Sequence, residues 1–319
     1  MPLLLTREEV RPLLDLAKAV ELTEGAFHEQ AQGQVVPHAP YHIPVRTGGV
    51  LRVVSGALLG SRRVGVRLGP AQGLGGDRMY AILFDTETGE LLSIMGYPFG
   101  TLRTAANVAL AAKYMARGDA RVVGLFGAGR NALGLLEGVA LVRKPAKVLV
   151  FSRDEERRRS FCANAREQLR VEVVPAESPE QAVRGVDLVL TATNSLAALF
   201  PADWIEPGVH LSSMGKPSEL GPDVYLKANR VVVGCKDHER DYFDRSAPLP
   251  LEVLANNGKL SWEQVYEMGD VVSGRVKGRE KREEVTLFRE SQGGFGDMAF
   301  AAWIYEEAKR RGIGKEVAL

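Results

Sequence analysis

The sequence predicts an α/β fold in which a doubly wound parallel sheet is joined to a smaller α+β domain. Three observations predict it. Six short runs rich in β-branched residues follow one another after residue 120, several with helical stretches between them. The first of these runs breaks into a glycine turn and then a helical pattern. Before residue 120 that alternation is missing, and strand-like runs succeed one another with turns between them.

The first run, 122–126, ends in Gly127-Ala128-Gly129-Arg130-Asn131-Ala132. Gly127 allows a tight turn, Gly129 lets a phosphate approach bare backbone, and Ala132 in the third small position lets the new helix pack on its strand. The helix start, with Arg130 and Asn131, aims unpaired N–H groups and a partial positive charge at a pyrophosphate. The later runs are 148–151, 171–174, 186–190, 209–211 and 230–233, with a charged helix at 154–169 and a short one near 179–183. A glycine loop after the first strand of such a series defines a Rossmann-type dinucleotide site. The second strand ends in Ser152-Arg153, whose hydroxyl and guanidinium can both donate to a 2′-phosphate, which favours NADP over NAD. Asp154 follows at once, and a one-residue shift of the strand end would make the segment an acidic NAD reader.

Residues 6–32 predict one amphipathic helix broken near Pro12. Strands are predicted at 49–57, 63–68, 79–85 and 91–95, with hairpin-turn composition at 86–89. This is an antiparallel sheet with a helix, and residues 69–76 are expected to form a mobile glycine-rich loop over a cleft. Thr101 is predicted as the N-cap of an alanine-rich helix with Arg103 in its first turn, an arrangement able to hold an anion. Residues 236–290 are polar and mixed, with 262–268 predicted helical and 277–282 a basic, solvated run. A glycine-rich piece, 292–297, leads into a final helix at 298–311 with Phe300, Trp303 and Ile304 on its apolar face. The predicted domains are 1–118 with 298–319, and 119–297.

The 319 residues are 45% apolar and 25% charged, which suits a globular chain with two domains. Forty-one basic against forty acidic side chains leave a net charge of +1, which speaks against a nucleic-acid surface or a polybasic membrane patch. Charged residues Arg7, Glu8, Glu9, Arg11 and Asp15 interrupt the N-terminus, and no apolar stretch reaches membrane-spanning length, so a cytoplasmic location is expected. Cys162 and Cys235 read as reduced thiols. His38 and His42 are separated by Pro40 and flanked by Pro37 and Pro44, which prevents a helix that would align them, and no metal site is expected.

Several pieces in order resemble the ornithine cyclodeaminase and mu-crystallin family over nearly the whole chain. They are Thr101-Leu102-Arg103-Thr104-Ala105-Ala106 with the following Ala109-Leu110-Ala111-Ala112, the Gly127-Ala128-Gly129 loop, Gly215-Lys216 with Glu219-Leu220, Gly274 with Gly278-Arg279, Thr286-Leu287-Phe288, and Ser291 through Asp297. The resemblance implies a homodimer whose first domain, closed by the final helix, supplies the dimer interface and most of the substrate pocket. It also implies hydride transfer between a nicotinamide and the α-carbon of an amino or imino acid. Some members return the hydride after ring closure and lose ammonia; others are dehydrogenases, ketimine reductases or opine-type synthases. By resemblance Arg103 would hold the substrate carboxylate, Thr104 would lie near the cofactor phosphates, and Ser291 and Gly293 near the nicotinamide. Thr193, Ser213 and Met214 are further cofactor candidates.

Three departures bear on function. A family lysine beside the substrate aligns with Arg67, which can grip a carboxylate but cannot exchange a proton near neutral pH. Ser212-Ser213-Met214 stands where cyclodeaminases carry an aspartate. The N-terminal arginine expected near the second proline-rich turn is missing there, with Pro40 and Tyr41 in its place. The leading expectation is therefore an NADP-dependent reductase or dehydrogenase of a carboxylate-bearing imine or amine, oriented by Arg103 and Arg67. Proton transfer would fall to water, Tyr41, His42 or Lys216. The alternatives are a cyclodeaminase whose acid comes from elsewhere, and a cofactor-dependent binding protein with little catalysis.

Overall fold

The computed structural model describes residues 1–46, 49–71, 78–242 and 245–318. They form two compact units: unit 1 comprises 1–103, 237–243 and 292–319, and unit 2 comprises 104–236 and 244–291. The first boundary falls inside a helix, earlier than the residue 118 read from sequence, and the last falls before residue 298.

Unit 1 begins with β1 (Leu3–Leu5), α1 (Arg7–Val10), α2 (Leu16–Ala31), β2 (Val35–Pro37), β3 (Tyr41–Pro44), β4 (Val50–Leu58), β5 (Arg63–Ala71), β6 (Tyr80–Asp85) and β7 (Leu91–Gly96). The helix α3 (Gly100–Met115) follows. Unit 2 contains β8 (Val122–Phe126), α4 (Ala132–Arg143), β9 (Lys147–Phe151), α5 (Glu155–Leu169), β10 (Glu172–Pro175), β11 (Leu188–Thr191), β12 (His210–Ser213), α6 (Pro222–Lys227) and β13 (Arg230–Val233). Past α7 (Lys236–Arg240) come α8 (Pro250–Asn256), β14 (Val265–Glu267), α9 (Met268–Val272) and β15 (Thr286–Arg289). The chain then returns to unit 1 as α10 (Gly294–Arg311) and β16 (Lys315–Glu316).

The break near Pro12 is a 3₁₀ turn at Arg11–Leu13 between α1 and α2. Thr6 and Glu9 form a capping box on α1, and the Asp15 carboxylate accepts from the Lys18 amide at 2.7 Å to start α2. The sheet of unit 1 runs β16-β1-β7-β6-β5-β4-β2, with β3 also on β4. It is antiparallel apart from β1, which lies parallel to β7. Strands β1, β2, β3 and β16 have two to four residues, too few for a period-two pattern to single them out.

Register decides which side chains share a face. His42 pairs with Arg52, and Val54 pairs with Arg67, so His42, Arg52 and Arg67 lie on one face. Gly56 pairs with Gly65 on that same face. A Cβ at Gly56 would overlap the backbone of Gly294 and Phe295, and one at Gly65 would collide with Met298. The two glycines therefore let α10 lie directly on β4 and β5. Phe295 meets Phe27 edge-on at 5.9 Å, and Phe300 stacks on Phe99 at 5.9 Å, which seats the helix in the core. This helix begins at Gly294, four residues before the predicted start, because its first turn is pressed on the sheet rather than looped.

The sheet of unit 2 is parallel throughout, in the order β10-β9-β8-β11-β12-β15-β13-β14. Separate apolar clusters cover its two faces, one including Leu125, Leu136 and Val150, the other including Phe126, Leu211 and Leu287. All six predicted runs are strands, to within a residue or two at the ends. Three local expectations change. Residues 262–268 divide into a 3₁₀ turn and β14 before α9 begins. The helix α3 starts at Gly100, so Thr101 lies within it. In the basic run, Arg279 is half-buried, donating to the Met115 carbonyl at 2.8 Å and to Thr286 Oγ1 at 3.1 Å. Of the glycine-rich loop at 69–76, residues 72–76 lie outside the described residues.

No helix among the described residues is long and apolar enough to cross a membrane. No group of three or more His, Cys, Asp or Glu among them could hold a metal ion. Cys162 and Cys235 are free and buried.

His210 on β12 is fully enclosed, with Nδ1 2.9 Å from Thr286 Oγ1 and Nε2 3.0 Å from Ser212 Oγ. Burial, then the charge of Arg279, lowers its pKa from 6.5 to about 3. The unfolded chain therefore binds a proton that the folded one refuses, and stability falls as pH drops through 6.5 toward 3. Denaturant midpoints across this range should show a loss approaching about 1.4 kcal/mol per pH unit from this group. A His210→Gln variant should show a flatter profile; equal slopes would exclude the assignment.

Candidate active site

In unit 1 the candidate side chains gather on Asp297, in the first turn of α10. Its carboxylate is 0% exposed. Arg67 Nε lies 2.9 Å from Oδ2 and Arg103 Nε 3.0 Å from Oδ1, the arginines being 11% and 12% exposed. The Tyr97 hydroxyl donates to Oδ1 as well. Arg67 is thus hydrogen-bonded through its Nε edge, while Arg103 Nε faces Oδ1 as an ion pair without hydrogen-bond alignment. Five N–H donors in a rigid fork let an arginine be held in this way and grip a carboxylate through its Nη groups at once.

Arg52 joins this cluster. Its Nε donates to His42 Nε2 at 2.9 Å, and it stands on the same sheet face as Arg67. Burial first, then the charge of Arg67 and after it that of Arg103, with Tyr242 and Asp297 opposing, bring its pKa down to about 10. Arg52 remains a cation at neutral pH. Burial, and then the Asp297 carboxylate, push the Tyr97 phenol above its ordinary value, so it stays protonated as a donor. The Arg67 guanidinium also lies over the Tyr97 ring, 5.0 Å from its centroid.

Of the sequence candidates in this unit, Arg67 and Arg103 meet directly on Asp297. His42 is brought in as the acceptor that orients Arg52. Tyr41 is not: it points to the opposite sheet face and is 67% exposed. Gly293, with φ +72°, makes the turn into α10. Arg52, Tyr97 and Asp297 were missed from sequence. Near Pro40, where the sequence lacks the arginine sought there, Arg52 of β4 donates to His42 from ten residues further on.

In unit 2 the glycine loop closes the strand end. Gly127 has φ +106°, its amide donates to the Phe151 carbonyl at 2.8 Å, and a Cβ there would come 2.5 Å from the Ala192 carbonyl oxygen. A Cβ at Gly129 would meet nothing within 4 Å, so there is open space beside that backbone. Asn131 is the N-cap of α4 without a side-chain cap, and Ala132 is fully buried against the strand layer. Arg130 is exposed beside them. An open backbone face at the start of an uncapped twelve-residue helix suits a dinucleotide pyrophosphate. Thr104 is buried in α3, and a Cβ on Gly138 of α4 would come 2.6 Å from the Ala105 carbonyl oxygen.

At the second strand end, Ser152 is half-buried and Arg153 exposed. Asp154 caps α5, its carboxylate accepting from the Arg157 amide at 2.9 Å. Arg157 Nε donates to the Ala128 carbonyl at 3.0 Å, which brings a further guanidinium to the glycine loop. Deeper in unit 2, Glu219 gathers Thr193 and Ser213. Its carboxylate takes the Thr191 hydroxyl at 2.8 Å, the Ser213 hydroxyl at 3.4 Å, the Gly215 amide at 3.1 Å and the Thr193 amide. Burial pushes the Glu219 carboxyl up, with the hydrogen bonds from Thr193 and Thr191 pulling the other way. The Met214 amide donates to the Thr191 carbonyl at 3.0 Å. Ser291 Oγ lies 3.4 Å from the Cys235 amide, and Lys216 Nζ 3.5 Å from Ser246 Oγ.

The chain belongs to the ornithine cyclodeaminase/mu-crystallin family, whose model matches residues 1–312. Among its relatives, the Δ1-pyrroline-2-carboxylate reductase of Bacillus cereus is 31% identical over 242 residues, covering 74% of this chain and 73% of the relative. The structure of Thermococcus litoralis Δ1-pyrroline-2-carboxylate reductase in complex with NADH and L-proline superposes with a TM-score of 0.88 at 26% identity, over 99% of this chain and 100% of that one. An archaeal alanine dehydrogenase dimer with bound NAD gives 0.86 at 28%, over 100% and 99%.

The two loop glycines separate folding from binding. Gly127→Ala should lower the melting temperature and weaken dinucleotide binding together, since both φ and the Ala192 carbonyl oppose a side chain. Gly129→Ala should leave stability within about 0.5 kcal/mol yet weaken dinucleotide binding by cofactor titration. Unchanged binding in Gly129→Ala would remove the pyrophosphate from this loop.

Proposed function

We propose that the protein is a nicotinamide-dependent reductase of a carboxylate-bearing imine, able to run in reverse as an amino-acid dehydrogenase. The observation that carries this reading is the pair of guanidiniums, Arg67 and Arg103, held on the buried Asp297. The activities named for its relatives, reduction of Δ1-pyrroline-2-carboxylate and dehydrogenation of alanine, support it.

Gly127, Ala128 and Gly129 with the start of α4 would hold the pyrophosphate. When bound, a nicotinamide dinucleotide supplies or accepts the hydride that interconverts C=N and CH–NH. Arg103 and Arg67 clamp the substrate carboxylate, which fixes the α-carbon and removes rotational freedom before reaction. Neither guanidinium exchanges protons near neutral pH, and Tyr97 is held protonated by burial and by Asp297. With Tyr41 on the opposite sheet face, the proton for the imine nitrogen would come from water, His42 or Lys216.

NADP is the proposed cofactor, although the solved relatives hold NADH or NAD. Asp154 spends its carboxylate on capping α5, while Ser152, Arg153 and Arg157 present donors near the second strand end. A cyclodeaminase is supported less. Ser212 and Ser213 stand in place of its aspartate, with their hydroxyls engaged by His210 and Glu219. A cofactor-dependent binding protein with little catalysis is also supported less, because the relatives are named as reductases and dehydrogenases. The protein is further proposed to be a homodimer joined through the exposed sheet face carrying Val36, Tyr41, Ile43 and Tyr80. Sedimentation equilibrium yielding a monomer at micromolar concentration would exclude it.

Consumption of NADPH with Δ1-pyrroline-2-carboxylate tests the reaction. NADPH should bind tighter than NADH by roughly ten- to a hundredfold, the worth of one charge-assisted phosphate contact. Equal dissociation constants would overturn the NADP assignment. Arg103→Lys loses the fork that meets Asp297 and substrate together, so KM should rise by about tenfold or more with cofactor affinity little changed.

A further inference from the structure

The buried stripe of α5 begins with a charge. Its enclosed residues are Arg158, Cys162 and Ala165, at the spacing by which a helix lays one face on a sheet. Cys162 and Ala165 belong to one apolar cluster with Val148 and Val150 of β9. Arg158, first in the stripe, is only 6% exposed.

An arginine keeps its charge in a protein, and a charge so enclosed is costly unless an anion answers it. Among the described residues no carboxylate forms an ion pair with Arg158. The acids one turn earlier have other partners: Asp154 accepts from the Arg157 amide, and Glu155 pairs with Arg159 at 2.6 Å. What holds Arg158 is uncharged. Its Nη1 donates to the Ser152 carbonyl at 3.0 Å, and its guanidinium lies over the Phe151 ring, 5.6 Å from the centroid. Its Nε is enclosed without a hydrogen-bond partner. Nη2 makes no hydrogen bond among the described residues and is not enclosed, so this corner of the group is open to a ligand.

Phe151 and Ser152 mark the carboxyl end of β9, the second strand, where a dinucleotide places its adenosine ribose. Arg157 stands beside Arg158 and donates through Nε to the Ala128 carbonyl, which leaves its Nη groups for a ligand next to the glycine loop. We propose that Arg158 and Arg157 form, with Ser152, the site for the 2′-phosphate of NADP, Arg158 answering the phosphate from beneath and Arg157 tying it to the loop. The proposal rests on the NADP reading and adds to it a specificity residue buried in the packing face of a helix. The 2′-hydroxyl of NAD has no charge and leaves Arg158 unanswered, so the site discriminates against the wrong cofactor as well as for the right one.

Calorimetry on the ligand-free protein with adenosine 2′,5′-bisphosphate and with 5′-AMP tests the phosphate apart from the nicotinamide and the reaction. The bisphosphate should bind at least tenfold tighter to the wild type. In Arg158→Met, which keeps an apolar stem without the charge, that ratio should fall by about tenfold or more, with 5′-AMP affinity little changed. The melting temperature of the ligand-free variant should hold or rise, because a neutral side chain replaces an unanswered buried charge. An arginine with a purely structural role would give the opposite pair of results, a lower melting temperature with the ratio intact. Arg157→Gln, at an exposed position, should lower the same ratio without loss of folding. An unchanged ratio in either variant overturns the proposal and leaves NADP to Ser152 and Arg153. Equal binding of the two nucleotides by the wild type overturns the NADP reading as well, and leaves the reductase reading in place with NAD.

Discussion

One fully buried carboxylate organises unit 1. Asp297 receives Arg67 from a strand, Arg103 from the start of a helix and the Tyr97 hydroxyl from the segment between β7 and α3. A carboxylate withdrawn from water costs several kcal/mol unless paired and hydrogen-bonded, and here that requirement is met by three elements distant in sequence. The same pairing works in the other direction. Long, flexible arginine side chains carry large rotamer entropy, and holding them on Asp297 spends that entropy during folding, ahead of the anion capture proposed for them.

The placement of Asp297 depends in turn on missing side chains. Gly56 and Gly294 bring the backbones of β4 and α10 into contact, and Gly65 makes room for Met298. Any side chain at these positions would lift the helix from the sheet and draw the carboxylate away from Arg67. Aromatic contacts of Phe27 with Phe295 and of Phe99 with Phe300 then supply the apolar burial that holds the helix down. The polar site and the core are one piece of packing.

The sequence made unit 2 more legible than unit 1. Parallel strands buried on both faces read as unbroken apolar runs, and the glycine loop carries a fixed spacing. Strand β15 escaped because Thr286-Leu287-Phe288-Arg289 is short and lies at the end of a polar stretch, although pairing places it between β12 and β13. The arginines were half legible. Arg67 and Arg103 stand in recognisable motifs, whereas Arg52 acquires meaning only through the register that sets it across from His42 and on the face of Arg67. Asp297 left one signal unused: an acid in the first turn of a helix whose neighbours Phe295, Met298 and Phe300 are all apolar is an acid bound for the interior. Tyr97 left none, because a lone tyrosine between a strand and a helix is ordinary. The commitment of Asp154 to its helix cap is likewise a matter of hydrogen-bond geometry that composition does not carry.

The Arg67–Asp297 contact joins residues 230 positions apart. On the ribosome, β4 and β5 are complete long before their covering helix is made. All the strands of unit 2 emerge in the interval, and domains that assemble from contiguous chain can fold as they appear. Until α10 arrives, the nascent unit 1 carries its arginines without their counter-ion and its sheet without one of its covers, so it closes late in synthesis. The proposed substrate grip and completion of the chain would thereby be coupled: a protein stalled short of α10 lacks the carboxylate that holds Arg67 and Arg103.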